Sequence, residues 1–158
     1  MREIAQHKQR MQKVLEDANV KLASVVSDVF GESGRRMLTA LCAGQTDPWQ
    51  LAALRDGRLA ASRETLAVAL QGKVTAHHRF LLSQHLRMIE YLEQTIRDFD
   101  GQVEVVVAPF RAAVACLVTI PGISATAAHV IIAAIGVDMN RFPTVAHLRS
   151  WAGAVPAT

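Results

Sequence analysis

The chain has 158 residues, about half of them hydrophobic and only 5% aromatic, and it carries a formal charge of +3. This length suits one domain or two small helical ones, and the apolar residues are mostly Ala, Leu and Val, which favour helices. The polar N-terminus contains no apolar signal sequence, and the longest apolar stretch, interrupted by Arg111, is too short for a membrane span. We therefore expect a cytoplasmic protein without membrane contact. Cys42 and Cys116 lie in apolar surroundings, which predicts buried free thiols rather than a disulfide or a metal site.

The spacing of apolar residues predicts helices along the whole chain. Gly31, Gly44, Gly57 and Gly72 are natural breaks between them, and Asp47-Pro48 is typical of a helix start. Glu93 and Arg97 have the spacing of an ion pair on one helix. The predicted helices are 1–30, 33–42, 49–55, 59–70 and 75–100, with Ser33 and Thr75 as candidate caps and Gly101 as a candidate interruption.

A run of valines at 103–107 resembles a strand, but no partner strand is evident, so we predict a continued or kinked helix with Pro109 at the kink. The helices at 1–30 and 75–100 would each span roughly 35–45 Å. Such lengths predict an antiparallel helical hairpin, a coiled coil or a partner-binding arm.

The segment after Leu117 fits a helix-hairpin-helix. Pro121-Gly122 predicts a tight turn, Ile123 is placed to pack back between two helices, and Ser124 can cap the second helix. Free backbone N–H groups and the helix dipole at such a turn would bind one phosphate. The predicted DNA-backbone site comprises Gly122, Ile123, Ser124, Ala125 and Thr126. An ordinary packing corner between two helices remains the alternative.

Several polar residues outside this turn are further candidates for a functional site. Arg141 and Arg149 flank a short helix predicted after Thr144 and are candidates for further phosphate contacts, although taken without context a solvated basic face is the favoured interpretation. Gly136 is expected to close the helix before it. The spacing of the six histidines predicts no metal site, and no arrangement of serine, histidine and acidic residues indicates a catalytic centre. Lys73, Arg79 and Arg87 are candidates for added DNA or RNA backbone contacts.

Four features of the second half of the chain resemble the C-terminal domain of transposases of the IS116/IS110/IS902 family of insertion sequences. They are IPGIS at 120–124, GVDMNRFP at 136–143, Leu148 and WAG at 151–153. Ser124 departs from the second glycine usual in the family's hairpin. The resemblance extends upstream to the helical region, through Val14–Gly31, Ser33–Leu38, Gly44–Pro48 and His77–Leu82.

This resemblance implies a DNA recombinase that excises and inserts a mobile element. The family has a RuvC-like domain with four acidic residues that bind Mg²⁺, and a serine nucleophile after the WAG segment. Neither part maps onto this sequence, so we expect a truncated transposase whose catalytic residues and cofactor are absent from this chain. Some members use a guide RNA, and members assemble through long helices.

The sequence thus predicts an all-α protein with an elongated, coiled-coil-like helical region at 1–110 and a small helix-hairpin-helix domain at 111–158. The predicted function is DNA binding within a transposase-derived homo-oligomer, and its enzymatic status stays open. A helical scaffold without nucleic-acid binding is the alternative.

Overall fold

A computed structural model describes residues 2–151 and 153, and within them every regular element is a helix. The all-α prediction is therefore confirmed. The chain divides into two compact units, Met1–Arg97 and Asp98–Thr158. The predicted division at 110/111 stays a prediction. The helices are α1 (Arg2–Asp17), α2 (Glu32–Cys42), α3 (Pro48–Ala52), α4 (Arg63–Ala69), α5 (Ala76–Val107), α6 (Arg111–Val118), α7 (Ala125–Ile135) and α8 (Val145–Trp151).

The helix predicted over 1–30 is wrong beyond Asp17. Asn19 adopts a positive φ of 57°, and the amide of Val20 bonds the Leu15 carbonyl at 2.8 Å, which closes the helix as Asn often does at this position. A 3₁₀ turn at Leu22–Ser24 follows. The apolar stripe continues across this break because Leu22, like Met11, is fully buried in the core of the first unit.

Two predicted helix starts differ in outcome. Asp47 caps α3, with its carboxylate accepting the Trp49 amide at 2.8 Å, as predicted. Ser33 lies inside α2 rather than at its start, because Gly31 is the capping residue. The Ser33 hydroxyl instead accepts the amide of Asp56 at 2.8 Å, so it joins α2 to the loop before α4.

Helix α5 passes through Gly101, so the candidate interruption there is absent. The valine run continues as helix, as predicted, until a 3₁₀ turn at Ala108–Phe110 that contains Pro109. The predicted Glu93–Arg97 pair is also wrong: Glu93 binds Arg35 at 2.5 Å, whereas Arg97 donates to the Gln94 side chain. A long-range partner on α2 has displaced the local one.

The first unit contains nearly all of the core. Its buried residues come from all five helices, and they include the completely buried Leu51, Leu66 and Leu82. In the second unit only Ala128 and Ile132, one turn apart on α7, are buried hydrophobics among the described residues. Cys42 is half-buried, but Cys116 is exposed, so the prediction of a buried thiol fails for Cys116.

Candidate nucleic-acid interface

The candidate interface is the connection between α6 and α7, residues 119–124, with the first turn of α7. Helix α6 ends at Val118 and its last turns present Val114 and Leu117, both half-buried. On α7 the buried residues are Ala128 and Ile132. The two helices contact each other.

Gly122 makes the sharp reversal between the helices possible. Its φ is +89°, in the left-handed region that L side chains rarely adopt. The following amide, that of Ile123, bonds back to the Ile120 carbonyl at 3.1 Å, and the Ile123 side chain is half-buried. The turn therefore follows from glycine chemistry and from one apolar anchor.

Ser124 is the N-cap of α7, with extended φ and ψ of −77° and 164°. Its hydroxyl oxygen accepts the amide of Ala127 at 3.2 Å, and its carbonyl accepts the amide of Ala128 at 2.9 Å. Serine in place of a second glycine thus costs no backbone strain, because an extended conformation is open to every residue.

Four backbone N–H groups remain unpaired at this turn. Among the residues that the structure describes, the amides of Gly122, Ser124, Ala125 and Thr126 donate no hydrogen bond, and all four residues are exposed. The N-terminal end of the α7 dipole adds partial positive charge at the same place. Five predicted site residues, including Ile123, are therefore contiguous in one exposed turn.

Arg141 lies at the opposite end of α7. Its guanidinium Nη1 is 3.5 Å from the Ile135 carbonyl, where it complements the C-terminal end of the helix dipole. An 11-residue helix is about 16 Å long, so Arg141 cannot share a phosphate with the Ser124 turn. Gly136 ends α7 with a φ of 74°, as predicted.

Arg149 lies in the last turn of α8, exposed to solvent. The start of this short helix is as predicted, since the Thr144 hydroxyl accepts the amide of His147 at 3.4 Å. Phe142 meets Trp151 edge to face, with ring centroids 6.0 Å apart, and this contact holds the helix to the preceding segment. Trp151 nevertheless remains 54% exposed.

A groove of about 420 Å³ lies beside the turn, between the end of α5 and α7. Its walls are mainly apolar and include Val103, Val106 and Val130, with Thr126 and His129 at α7. Such a surface would accept an apolar side chain rather than a phosphate. Within the described residues no cluster of three or more His, Cys, Asp or Glu side chains could hold a metal ion.

Charge is distributed unevenly between the units. Met1–Arg97 contains 14 Lys and Arg against 10 Asp and Glu, whereas Asp98–Thr158 contains three Arg against four Asp and Glu. The unit with the candidate turn is therefore not basic overall. Any phosphate binding there depends on directed amides and individual arginines, because the unit's net charge supplies no general attraction.

Helix Ala76–Val118, which includes the 3₁₀ turn, contains an apolar window long enough to cross a membrane by length and composition. Residues 101–118 are the one stretch of 18 residues within this helix that has no more than two charged residues, and these are Glu104 and Arg111. The sequence-based statement that no stretch is long enough for a membrane span is thus corrected. One such helix is weak evidence for a membrane, because core helices pass the same test.

Comparison with known proteins gives one match. Residues 114–158 match the model of the transposase IS116/IS110/IS902 family. The match confirms the resemblance over α6, the turn, α7 and α8. It covers less than a third of the chain, so the upstream resemblance at Val14–Gly31 and His77–Leu82 stays a prediction. No curated protein and no solved structure is significantly similar to the chain.

Proposed function

We propose that this chain binds the DNA backbone through the turn between α6 and α7, as part of a transposition protein that assembles through its helices. The observation that carries this proposal is the set of four unpaired, exposed amides at Gly122, Ser124, Ala125 and Thr126, within the segment that matches a transposase family. Amides converging at a helix N-terminus suit one phosphate oxygen group and read no base sequence.

The proposal gives the two arginines different roles from the turn. Arg149 is exposed and would neutralise a second phosphate. Arg141 donates to the Ile135 carbonyl at the end of α7, and any contact with DNA would be additional to that hydrogen bond. Three basic residues of the first unit, which has the surplus of basic residues, are candidates for backbone contacts with DNA or with a guide RNA. They are Lys73, the half-buried Arg79 and the exposed Arg87, the last two on α5.

Assembly through helices is supported by the exposed apolar surface of the second unit. On α5, Phe99, Val103 and Val106 recur at four- and three-residue spacing and are 69%, 43% and 59% exposed. A contiguous apolar stripe of this kind usually marks an interface. We propose a homo-oligomer rather than membrane insertion, because Glu104 and Arg111 would each cost about 3 kcal/mol at a bilayer centre. The cytoplasm is the expected location.

Ala125→Pro tests the role of the turn directly. Proline is favoured at the first position of a helix, and the extended Ser124 before it is the conformation that proline requires. The substitution therefore deletes one N–H group and leaves the fold intact. Ala125→Ser is the matched control, since it changes the same side chain and retains the amide.

Affinity for a short DNA duplex would be measured with the full chain between about 50 and 200 mM salt. We expect Ala125→Pro to weaken binding by about tenfold to a hundredfold, because a charge-assisted hydrogen bond contributes about 1.5–3 kcal/mol. The slope of affinity against salt should stay the same, whereas Arg149→Gln should reduce that slope by about one. Equal affinities for the Pro, Ser and parent proteins would refute binding at the turn.

A helical scaffold without nucleic-acid binding is the second candidate, and the small core and exposed valines of the second unit favour it. It predicts self-association without any salt-dependent affinity for duplex or branched DNA.

A further inference from the structure

Helices α1 and α5 are joined by a contact between two histidines. The Nδ1 atoms of His7 and His85 are 3.0 Å apart, both residues are half-buried, and the ring centroids are 5.1 Å apart. The centroid separation exceeds the nitrogen separation by nearly two ring radii, so the nitrogens point at each other. This is the geometry of one N–H···N hydrogen bond, rather than of two ligands converging on a metal ion.

Such a bond requires exactly one of the facing nitrogens to carry a proton. The neutral pair meets this condition through its tautomers, and a pair with one added proton meets it as imidazolium and imidazole. A second added proton removes the acceptor and leaves two cations in contact. The bond therefore tolerates uptake of one proton and is lost on uptake of the next.

The surroundings of the pair oppose double protonation. Burial first, then the neighbouring His7 and Arg10 of α1, lower the pKa of His85. In the described part of the chain no carboxylate forms an ion pair with either ring. The other charged contacts of α5 lie elsewhere: Glu93 binds Arg35 of α2, and the half-buried Cys42 of α2 lies beside Ser83 and Glu90.

A second histidine contact joins the same helices. The His78 Nε2 atom is 2.9 Å from the Asp17 carboxylate, at the end of α1 and the start of α5. The acceptor of this contact is a carboxylate rather than a second imidazole, so the contact does not depend on a neutral ring nitrogen as its acceptor.

We propose that His7 and His85 form a proton-sensitive contact that releases the beginning of α1 from α5 on acidification, while Asp17 and His78 retain its end. The sign follows from linkage. A histidine whose pKa is lowered by folding binds fewer protons in the folded state, so its contribution to stability is present above the ordinary histidine pKa and is lost as the pH falls from that value through the lowered pKa of the folded state.

The test is amide hydrogen exchange of the full chain at about pH 7.5 and about pH 5.5, corrected for intrinsic exchange. We expect protection of the first turns of α1 to fall about tenfold at the lower pH, because the hydrogen bond between the two rings is lost, with a smaller change near Asp17. His7→Gln should reduce the pH dependence, because it removes the facing imidazole and leaves the burial of His85. His77→Gln is the control, because His77 is exposed on α5, the helix of His85. This variant should leave the pH dependence of α1 protection unchanged.

A second measurement does not depend on the variants. Titration of the parent protein by NMR should show the His85 ring gaining its proton at a lower pH than an ordinary histidine. The proposal is overturned if the His85 ring titrates like an ordinary histidine. It is also overturned if His7→Gln has the same pH dependence of α1 protection as the parent.

Discussion

The two units of this chain differ in how they use their apolar residues. Met1–Arg97 buries them in a common core built from five helices, whereas Asp98–Thr158 buries only Ala128 and Ile132 among its described residues and leaves Phe99, Val106 and others exposed. A core of that size gives little stabilisation. The difference indicates that the first unit is held by its own packing and that the second leaves most of its apolar surface exposed, which is the surface that the proposed assembly would use.

The first prediction concerns two glycines inside helices, one in each unit. A Cβ at Gly34 of α2 would lie 2.0 Å from the Val29 carbonyl oxygen, whereas a Cβ at Gly101 of α5 would meet nothing within 4 Å. Gly34→Ala should therefore lower the free energy of unfolding by at least about 3 kcal/mol. Gly101→Ala should raise local helix stability by about 0.5–1 kcal/mol.

Urea denaturation followed by circular dichroism would measure both changes. An unchanged free energy of unfolding for Gly34→Ala would contradict the close approach of α2 to the preceding loop. It would also contradict the described packing of the first unit.

The second prediction concerns self-association. Val106→Lys places a charge on the apolar stripe of the second unit, and we expect the dissociation constant of the homo-oligomer to rise at least about tenfold, because the lysine would be buried without a partner. Val68→Lys is the matched control in the first unit, where Val68 is similarly exposed at 66%. Sedimentation velocity would compare them. Equal weakening by both variants would contradict assembly through the α5 stripe.

The smallest expected effect concerns Arg35, which binds Glu93 and also donates to the Phe30 carbonyl at 2.7 Å. Because both side chains of the pair are 27% exposed, we expect Arg35→Ala to cost about 1–2 kcal/mol of unfolding free energy. The control is Arg36→Ala, whose partner Glu32 lies on the same exposed helix face, with an expected cost of about 0.3–0.5 kcal/mol. Similar costs for both variants would contradict a stabilising role for the Arg35–Glu93 pair, which joins α2 to α5.

The local signals in the sequence predicted a good part of this structure. The Asp47-Pro48 cap, the Gly122 turn, the Ser124 cap and the Gly136 stop are each determined by one or two residues, and the structure has them in place. The position of Gly122 to Thr126 in one turn could be predicted for the same reason, since these residues are contiguous in the chain, whereas their role in DNA binding stays a prediction.

Contacts between distant residues could not be predicted in this way. His7 and His85 are 78 positions apart, and nothing local marks them as a pair. The partner of Glu93 is the distant Arg35 and not the nearby Arg97, so this ion pair could not be predicted either. Asn19 ends α1 although the apolar spacing continues past it. Exposure of Cys116 was missed because an apolar neighbourhood in sequence does not reveal how small the local core is.

The central claim, that DNA meets the α7 turn of the second unit, is most directly tested by titrating the ¹⁵N-labelled full chain with a short DNA duplex. We predict that the largest amide shift changes occur at Gly122, Ser124, Ala125 and Thr126, and that they diminish with added salt. Changes confined to the basic first unit, Met1–Arg97, with these four amides unmoved, would contradict the claim.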